Sequence, residues 1–309
     1  MPFMQFKDCE DRNEVNSSVK KVLITGANSY IGTSVEKYLS RWPAEYQVDT
    51  IDMVDGSWHG ESFAGYDSVF HVAGIAHQDS GKITEERRKL YYTVNTLLAI
   101  DTANKAKADG VKQFVFMSSI IVYGASEKSG KSKPITLNTE PAPVGAYGDS
   151  KLQAEKGILP LSDASFAVCV LRPPMIYGKG CKGNYPLLSK FARRLPLFPD
   201  IHNQRSMLYV GNLCAYIKAA IDNEWHGIFL PQNLEYVCTS DMVKRIAEVH
   251  GKKVHLTRVF NPILRLLSGS MKIINKVFGN LVYEKNDNMP KGLVSFAESI
   301  RRSELGEGI

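Results

Sequence analysis

The chain has 309 residues, 44% of them hydrophobic and 23% charged, with a net charge of +6. That suits a globular enzyme with a sizeable core, in one large or two intimate domains. The basic residues sit in short mixed runs such as Glu85-Glu86-Arg87-Arg88-Lys89, which solvate a face rather than form a nucleic-acid footprint, so the mild positive bias favours a small anionic substrate.

Residues 1–19 are polar, lack the apolar core of a signal peptide, and read as an extension ahead of the fold. Val22-Leu23-Ile24 then forms an apolar run, as a fully buried parallel strand does. Gly26 allows a sharp turn and lets a phosphate approach bare backbone. Gly32 lets the following helix lie close to the strand. The helix start presents N–H groups and a positive dipole end to a pyrophosphate. Ser29 stands where a glycine is expected in the middle of the motif, so this turn alone is compatible with any strand–turn–helix.

Ile31, Val35, Leu39 and Trp42 recur at helical spacing, and the helix ends before Pro43. A second strand is expected over 47–53, with Asp52 near its end. In a dinucleotide fold, an acid there accepts hydrogen bonds from ribose hydroxyls and rejects a 2′-phosphate. Tyr66 to Gly74 reads as a third strand ending in Ala73-Gly74, small enough for a ligand to lie against the backbone. His71 and His77 read as structural. Leu90 to Ala108 is expected as one long helix closed by Gly110, with Asn95 unfavourably placed in its middle, which points to a polar bonding role.

Val111 to Ser119 is a further buried strand, and 124–145 a long loop of the kind that often carries function. Tyr147 and Lys151 share one face of the next helix at i,i+4 spacing. An ammonium beside a phenol lowers the phenol's pKa and makes it a usable proton shuttle. Phe166 to Arg172 is another strand, followed by Pro173-Pro174. Helices follow over 185–194, 213–221 and 240–250, with a strand over 203–210 that carries Arg205. Asn261 to Phe278 is basic and amphipathic, suited to a substrate-domain wall or, less favourably, to a membrane surface. Five scattered cysteines (Cys9, Cys169, Cys181, Cys214, Cys238) show neither pairing nor zinc spacing, and read as reduced thiols in a cytoplasmic protein. No apolar run approaches the roughly 18 residues of a membrane span.

These signals, in this order, resemble the extended short-chain dehydrogenase/reductases, and more narrowly the NAD-dependent epimerase/dehydratase group, with UDP-glucose 4-epimerase-like and UDP-sugar 4-ketoreductase-like proteins nearest. The stretches 116–124 and 171–178, Lys182-Gly183-Asn184 and 203–210 carry the resemblance, which covers residues 20–250. It implies a Rossmann-type doubly wound parallel sheet, an α/β fold, over 20–178, with a segment near 207–238 returning to it. Residues 179–309 would form a smaller, mostly helical substrate domain. It implies that Tyr147 is the acid/base, that Lys151 binds the nicotinamide ribose and tunes Tyr147, and that Ser119 bonds the same sugar oxygen. Gly26, Ser29, Tyr30, Ile31 and Gly32 would hold the pyrophosphate of NAD (or NADP), with Asp52 and Met53 at the adenosine end. Ala73, Gly74, Asn95 and Pro174 would complete the cofactor side. Asn184 and Arg205 would contact the diphosphate of a UDP-linked sugar, an arginine fork being well matched to a diphosphate.

Dehydratases of the group carry Asp-Glu after the catalytic Ser/Thr. Here Ile120-Ile121 occupy the place, and aliphatic side chains move no protons. Two hydride chemistries at C4 stay open: epimerisation through a 4-keto sugar, and one-way reduction of a 4-keto sugar. A non-catalytic dinucleotide sensor is the alternative of another class, which the Ser119, Tyr147 and Lys151 set disfavours. A lipid-linked sugar substrate also stays open, and a homodimer is implied only by the resemblance.

Overall fold

The computed structural model describes residues 19–76, 83–124, 133–262, 277–285 and 289–307. The amino-terminal extension, His77, part of the 124–145 loop and most of the 261–278 segment lie outside the described residues.

Six parallel strands form the central sheet. In chain order they include β1 (Lys20–Thr25), β2 (Tyr46–Ile51), β3 (Ser68–His71), β4 (Gln113–Met117) and β5 (Ala167–Leu171). β6 (Met175–Tyr177), β7 (Leu197–Pro199), β8 (Met207–Tyr209), β9 (Gly227–Phe229) and β10 (His255–Thr257) are short. The sheet order is β2-β1-β3-β4-β5-β9, while β6–β8 and β7–β10 pair separately. β3 and β4 are buried at every position, as expected of strands covered on both faces.

The two faces of one strand feed two cores, because side chains alternate along it. Val22 and Ile24 face helices α1 (Tyr30–Leu39) and α6 (Val210–Asp222), packing with Val35, Leu39, Leu213 and Ile217. Leu23 faces the other way, into a core with Ala99 and Ala103 of α3 (Leu98–Ala108) and Ala154 and Ile158 of α4 (Ala146–Ile158). A third core joins α5 (Asn184–Arg194), α7 (Thr239–Val249) and α8 (Phe296–Leu305) through Leu188, Met242, Ile246 and Ile300.

Several expected boundaries move. The second strand stops at Ile51, and the 203–210 strand shrinks to β8. The single helix expected from Leu90 begins instead at α2 (Glu85–Tyr91), where Thr84 caps it by accepting from the Arg87 N–H. It is then interrupted by a π-helical stretch over Tyr92–Leu97. Asn95 lies inside that stretch, so the poor helix former sits where the helix widens, a feature frequent at functional sites. Periodicity does not reveal it, because the apolar spacing is disturbed by only one residue.

The chain leaves β1 toward β2 on one side and then crosses over to β3 on the other. The carboxyl ends of β1 and β3 therefore flank the topological switch point, where open α/β sheets bind ligands.

Candidate active site at the switch point

The glycine turn sits at that switch point. Gly26 adopts φ +96°, a conformation open chiefly to glycine. A Cβ there would lie 2.8 Å from the Ala73 backbone nitrogen, so only glycine lets the turn after β1 touch the end of β3. Gly26 N–H donates to the Ile51 carbonyl at 2.9 Å, which brings Asp52 next to the turn. Asp52 is exposed, and its Oδ1 accepts from the Val54 N–H at 3.0 Å. Met53 is buried against the second core with Ala73.

Ser29 acts as the N-cap of α1, its Oγ accepting from Gly32 N–H at 3.0 Å. This is a physical reason for serine at a position where glycine was expected. The Tyr30 and Ile31 N–H groups, first in the helix, have no acceptor within it by helix geometry. A Cβ at Gly32 would lie 2.7 Å from Ser29 Oγ, so the cap also requires glycine there.

Gly74 extends the same surface. A Cβ on it would stand 3.0 Å from Asn95 Oδ1 and 3.2 Å from Lys151 Nζ. Asn95 is fully buried. Its Oδ1 accepts from Ile75 N–H at 2.9 Å, and its Nδ2 donates to the Ile75 carbonyl at 3.1 Å and to Ser150 Oγ at 3.2 Å. Asn95 thus ties the loop after β3 to α4, the helix that carries Tyr147 and Lys151. Thr96 adds a second tie, donating to the Ser150 carbonyl at 2.7 Å.

Ser119 caps a 3₁₀ turn over Ile120–Tyr123 at the end of β4. The turn abuts α4 at Gly148, where a Cβ would come within 2.8 Å of the Ile121 carbonyl oxygen. That close approach sets Ser119 beside Tyr147, and the Ser119 hydroxyl hydrogen-bonds the Tyr147 phenol. Pro174 is buried just past β5, next to Pro173, whose carbonyl accepts from Ile120 N–H at 2.9 Å.

The electrostatics differ from expectation in one respect. Burial pushes the Tyr147 phenol above its ordinary value, and the Ser119 hydrogen bond only partly offsets this. Lys151 Nζ donates to the Met117 carbonyl at 2.9 Å and lies 4.8 Å from the centroid of the Phe116 ring. Burial lowers the Lys151 pKa to about 8, with Glu155 pulling in the opposite direction.

Glu155, one turn beyond Lys151, was not anticipated, although the i,i+4 spacing was a signal for it. It is buried and forms an ion pair with the equally buried Arg172 at 2.5 Å. Ser118 donates to the same carboxylate, and Arg172 Nη1 donates to the Tyr123 hydroxyl at 2.6 Å. This network knits the ends of β4 and β5 to α4 behind Lys151. His71 is structural, as read from the sequence. It stacks against Phe114 and Phe116, and its Nδ1 lies 2.8 Å from Thr25 Oγ1. Burial depresses its pKa to about 3, so it stays neutral.

Arg205 and Asn184 belong to the layer built on α5 and α7. Arg205 is buried, and its Nη1 donates to the Gly279 carbonyl at 2.8 Å. No carboxylate lies within ion-pair distance of it among the described residues, and burial lowers its pKa to about 10. A buried cation without a carboxylate partner suits an anionic ligand. Asn184 opens α5 and is half-buried. No hydrogen bond joins its side chain to Arg205 among the described residues.

The turn, the short loop after β3 and the Ser119, Tyr147 and Lys151 cluster fit a nicotinamide dinucleotide. Bare glycine backbone and the unpaired N–H groups of a helix start suit a pyrophosphate, and an exposed acid follows the neighbouring strand. Fold and site together define a Rossmann-type dinucleotide-dependent enzyme. Residues 22–229 match the family described as the NAD dependent epimerase/dehydratase family, and the chain belongs to that family. It is 32% identical over 250 residues to a UDP-glucose 4-epimerase from Vibrio cholerae, covering 74% of this chain and 75% of the relative. It is 27% identical over 283 residues to N-acetyl-alpha-D-glucosaminyl-diphospho-ditrans,octacis-undecaprenol 4-epimerase from Escherichia coli O157:H7, covering 84% and 81%. Among solved structures, UDP-glucuronic acid 4-epimerase from Bacillus cereus in complex with NAD superposes with TM-score 0.68 at 18% identity, covering 92% of this chain and 97% of that one. Among the described residues no helix is long and apolar enough to cross a membrane.

Proposed function

We propose that the protein is a nucleotide-sugar 4-epimerase, acting on a UDP-hexose or UDP-N-acetylhexosamine. The observation that carries the reading is the Ser119–Tyr147 hydrogen bond, set beside Lys151 at the carboxyl end of the sheet. A sensor has no use for a proton shuttle. The 32% identity to a UDP-glucose 4-epimerase supports epimerisation over one-way reduction. Ile120 and Ile121, in the 3₁₀ turn after Ser119, bear no ionisable group, which argues against dehydration.

Bound NAD supplies a hydride acceptor, and then a hydride donor, at C4 of the sugar. Tyr147 takes the proton from the 4-hydroxyl as the ketone forms and returns one as the alcohol is restored. Ser119 shares a hydrogen bond with the Tyr147 oxygen and is placed to hold the same sugar oxygen. Taking that proton requires the phenolate, which burial disfavours and the Ser119 hydrogen bond favours. Lys151 holds the nicotinamide ribose side, next to Gly74 and Asn95. Gly26, Ser29, Tyr30, Ile31 and Gly32 hold the pyrophosphate, and Asp52 selects NAD over its 2′-phosphorylated form. Arg205 and Asn184 hold the substrate diphosphate, leaving the sugar free to turn over between the two hydride steps.

The test is incubation with a panel of UDP-sugars, with and without reduced nicotinamide cofactor. Inversion at C4 with no net change in cofactor is expected. Stoichiometric cofactor oxidation on a 4-keto sugar, with no inversion, would assign the protein as a reductase instead.

A further inference from the structure

Three consecutive residues at the end of β4 each meet one residue of a single stripe on α4. Tyr147, Lys151 and Glu155 follow one another at four-residue steps and so share one side of the helix. Lys151 Nζ donates to the Met117 carbonyl, Ser118 Oγ donates to the Glu155 carboxylate, and the Ser119 hydroxyl bonds the Tyr147 phenol. Alternation along the strand accounts for the middle contact. Phe114 and Phe116 enter the core that Ala154 and Ile158 of α4 share, and Ser118, two residues on, turns to the same helix.

The strand side of this junction is fixed by the sheet. Ser118 N–H donates to the Leu171 carbonyl at 2.8 Å, and Ile120 N–H to the Pro173 carbonyl at 2.9 Å. On the helix side, Asn95 and Thr96 hold Ser150, and Glu155 holds the turn beyond Lys151. Both Glu155 carboxylate oxygens are taken up within the protein, by Ser118 and by Arg172 Nε and Nη2, and the residue is 1% exposed. Arg172 is itself held. Its N–H donates to the Phe229 carbonyl at 3.0 Å, and its carbonyl accepts from the Tyr283 hydroxyl at 2.6 Å. The three contacts differ in kind. Those of Tyr147 and Lys151 use groups that must also meet sugar and cofactor. The Glu155–Ser118 contact is enclosed by protein, and a hydrogen bond to an ionised carboxylate is among the strong ones.

We propose that Glu155 is a positioning residue: through Ser118 it holds α4 in register with the end of β4, and thereby sets Tyr147 and Lys151 for reaction. The inference rests on the epimerase reading above, and it adds a residue that touches neither sugar nor cofactor. An ion pair kept only for stability needs Arg172 and no bond to the strand end. A shift of reacting groups by about an ångström costs on the order of 10²-fold in rate, so a small slip of α4 is enough to be read.

Two variants test this. Ser118→Ala cuts the link and leaves the ion pair. Arg172→Met with Glu155→Leu removes the whole network as a matched apolar pair. Both are assayed on the UDP-sugar that the wild type inverts, or on a 4-keto sugar with reduced cofactor should it prove a reductase. Turnover at least about tenfold below wild type is expected for each, with KM for the sugar within about twofold, since Arg205 and Asn184 are untouched. NAD should bind at least about fivefold more weakly, because Lys151 is displaced, while ADP, which lacks the nicotinamide ribose, binds as before. Near-ultraviolet circular dichroism checks the fold, and if the double variant does not fold, Ser118→Ala decides. Wild-type turnover in Ser118→Ala, or in the folded double variant, overturns the inference, as does an equal loss of NAD and ADP. A wild type inactive on both kinds of sugar removes the epimerase reading instead, and the comparison of NAD with ADP then decides the positioning role.

Discussion

Arg172 grips Glu155 with both arms of its guanidinium, Nε lying 3.1 Å from Oε1 and Nη2 2.5 Å from Oε2, with both residues buried. The pair lies 17 residues apart in sequence and one helical turn behind Lys151. It joins the last strand-end before Pro173-Pro174 to the helix that carries Tyr147. Removing one partner leaves a charge buried without compensation. Arg172→Met is expected to cost about 3–5 kcal/mol of stability. Adding Glu155→Leu to it should recover most of that loss, since a matched apolar pair removes both charges. Urea unfolding of the wild type, the two single variants Arg172→Met and Glu155→Leu, and the double variant checks this. A double variant as unstable as the sum of the two singles would mean the network is held by Ser118 and Tyr123 instead.

Tyr147→Phe deletes one oxygen, the one bonded to Ser119. Turnover should fall by about 10²–10⁴, the usual contribution of a placed acid/base. NAD affinity should stay within about twofold of wild type, because neither the glycine turn nor Asp52 is touched. Single-turnover assays and cofactor titration read the two separately. Near-normal turnover would remove Tyr147 from the chemistry.

Lys151 carries a pH signature of its own. Its folded pKa, about 8, lies below the ordinary lysine value of 10.5. Between those two values the unfolded chain binds the proton and the folded chain does not, so stability rises with pH across that window. Below about pH 8 the cost of burying the charged form is fully present. In the cofactor-free protein, Lys151→Met should abolish the rise. Denaturant unfolding at pH 7, 8 and 9 measures it; a wild-type curve parallel to that of the variant would contradict the assignment.

Arg205→Ala should weaken binding of the nucleotide sugar far more than binding of NAD. Charge-assisted hydrogen bonds of this kind are worth about 1.5–3 kcal/mol each, or about 10–150-fold in affinity. Calorimetric titration with UDP and with NAD separates the two. Equal losses for both ligands would count against a role on the diphosphate.

Much of the fold was legible because its signals are local. Val22-Leu23-Ile24, Val69-Phe70 and Phe114-Val115-Phe116-Met117 are apolar runs, as strands buried on both faces tend to be. The turn was legible through Gly26 and Gly32, whose missing side chains are written into the sequence. Ser29 was the reverse: it read as a departure from a motif, and its capping bond to Gly32 made sense of it. The pairing of Tyr147 with Lys151 followed from spacing alone, but the burial that raises the Tyr147 phenol did not, because spacing says nothing of how deeply a side chain is covered.

By itself, then, the sequence determined the order of strands and helices, the glycine turn at the end of β1 and the presence of a Ser–Tyr–Lys set. The elements, the turn and the Tyr147–Lys151 spacing each depend on residues within a few positions of one another. Only the tertiary structure decided that Lys151 donates to Met117, 34 residues away, and that burial raises the Tyr147 phenol. It alone closed the Glu155–Arg172 pair, placed Asn95 in a π-helical stretch, and left Arg205 buried with Gly279, 74 residues on, as its acceptor. Burial and long-range pairing set the free energy of a charge in a protein interior, and a local pattern along the chain carries neither.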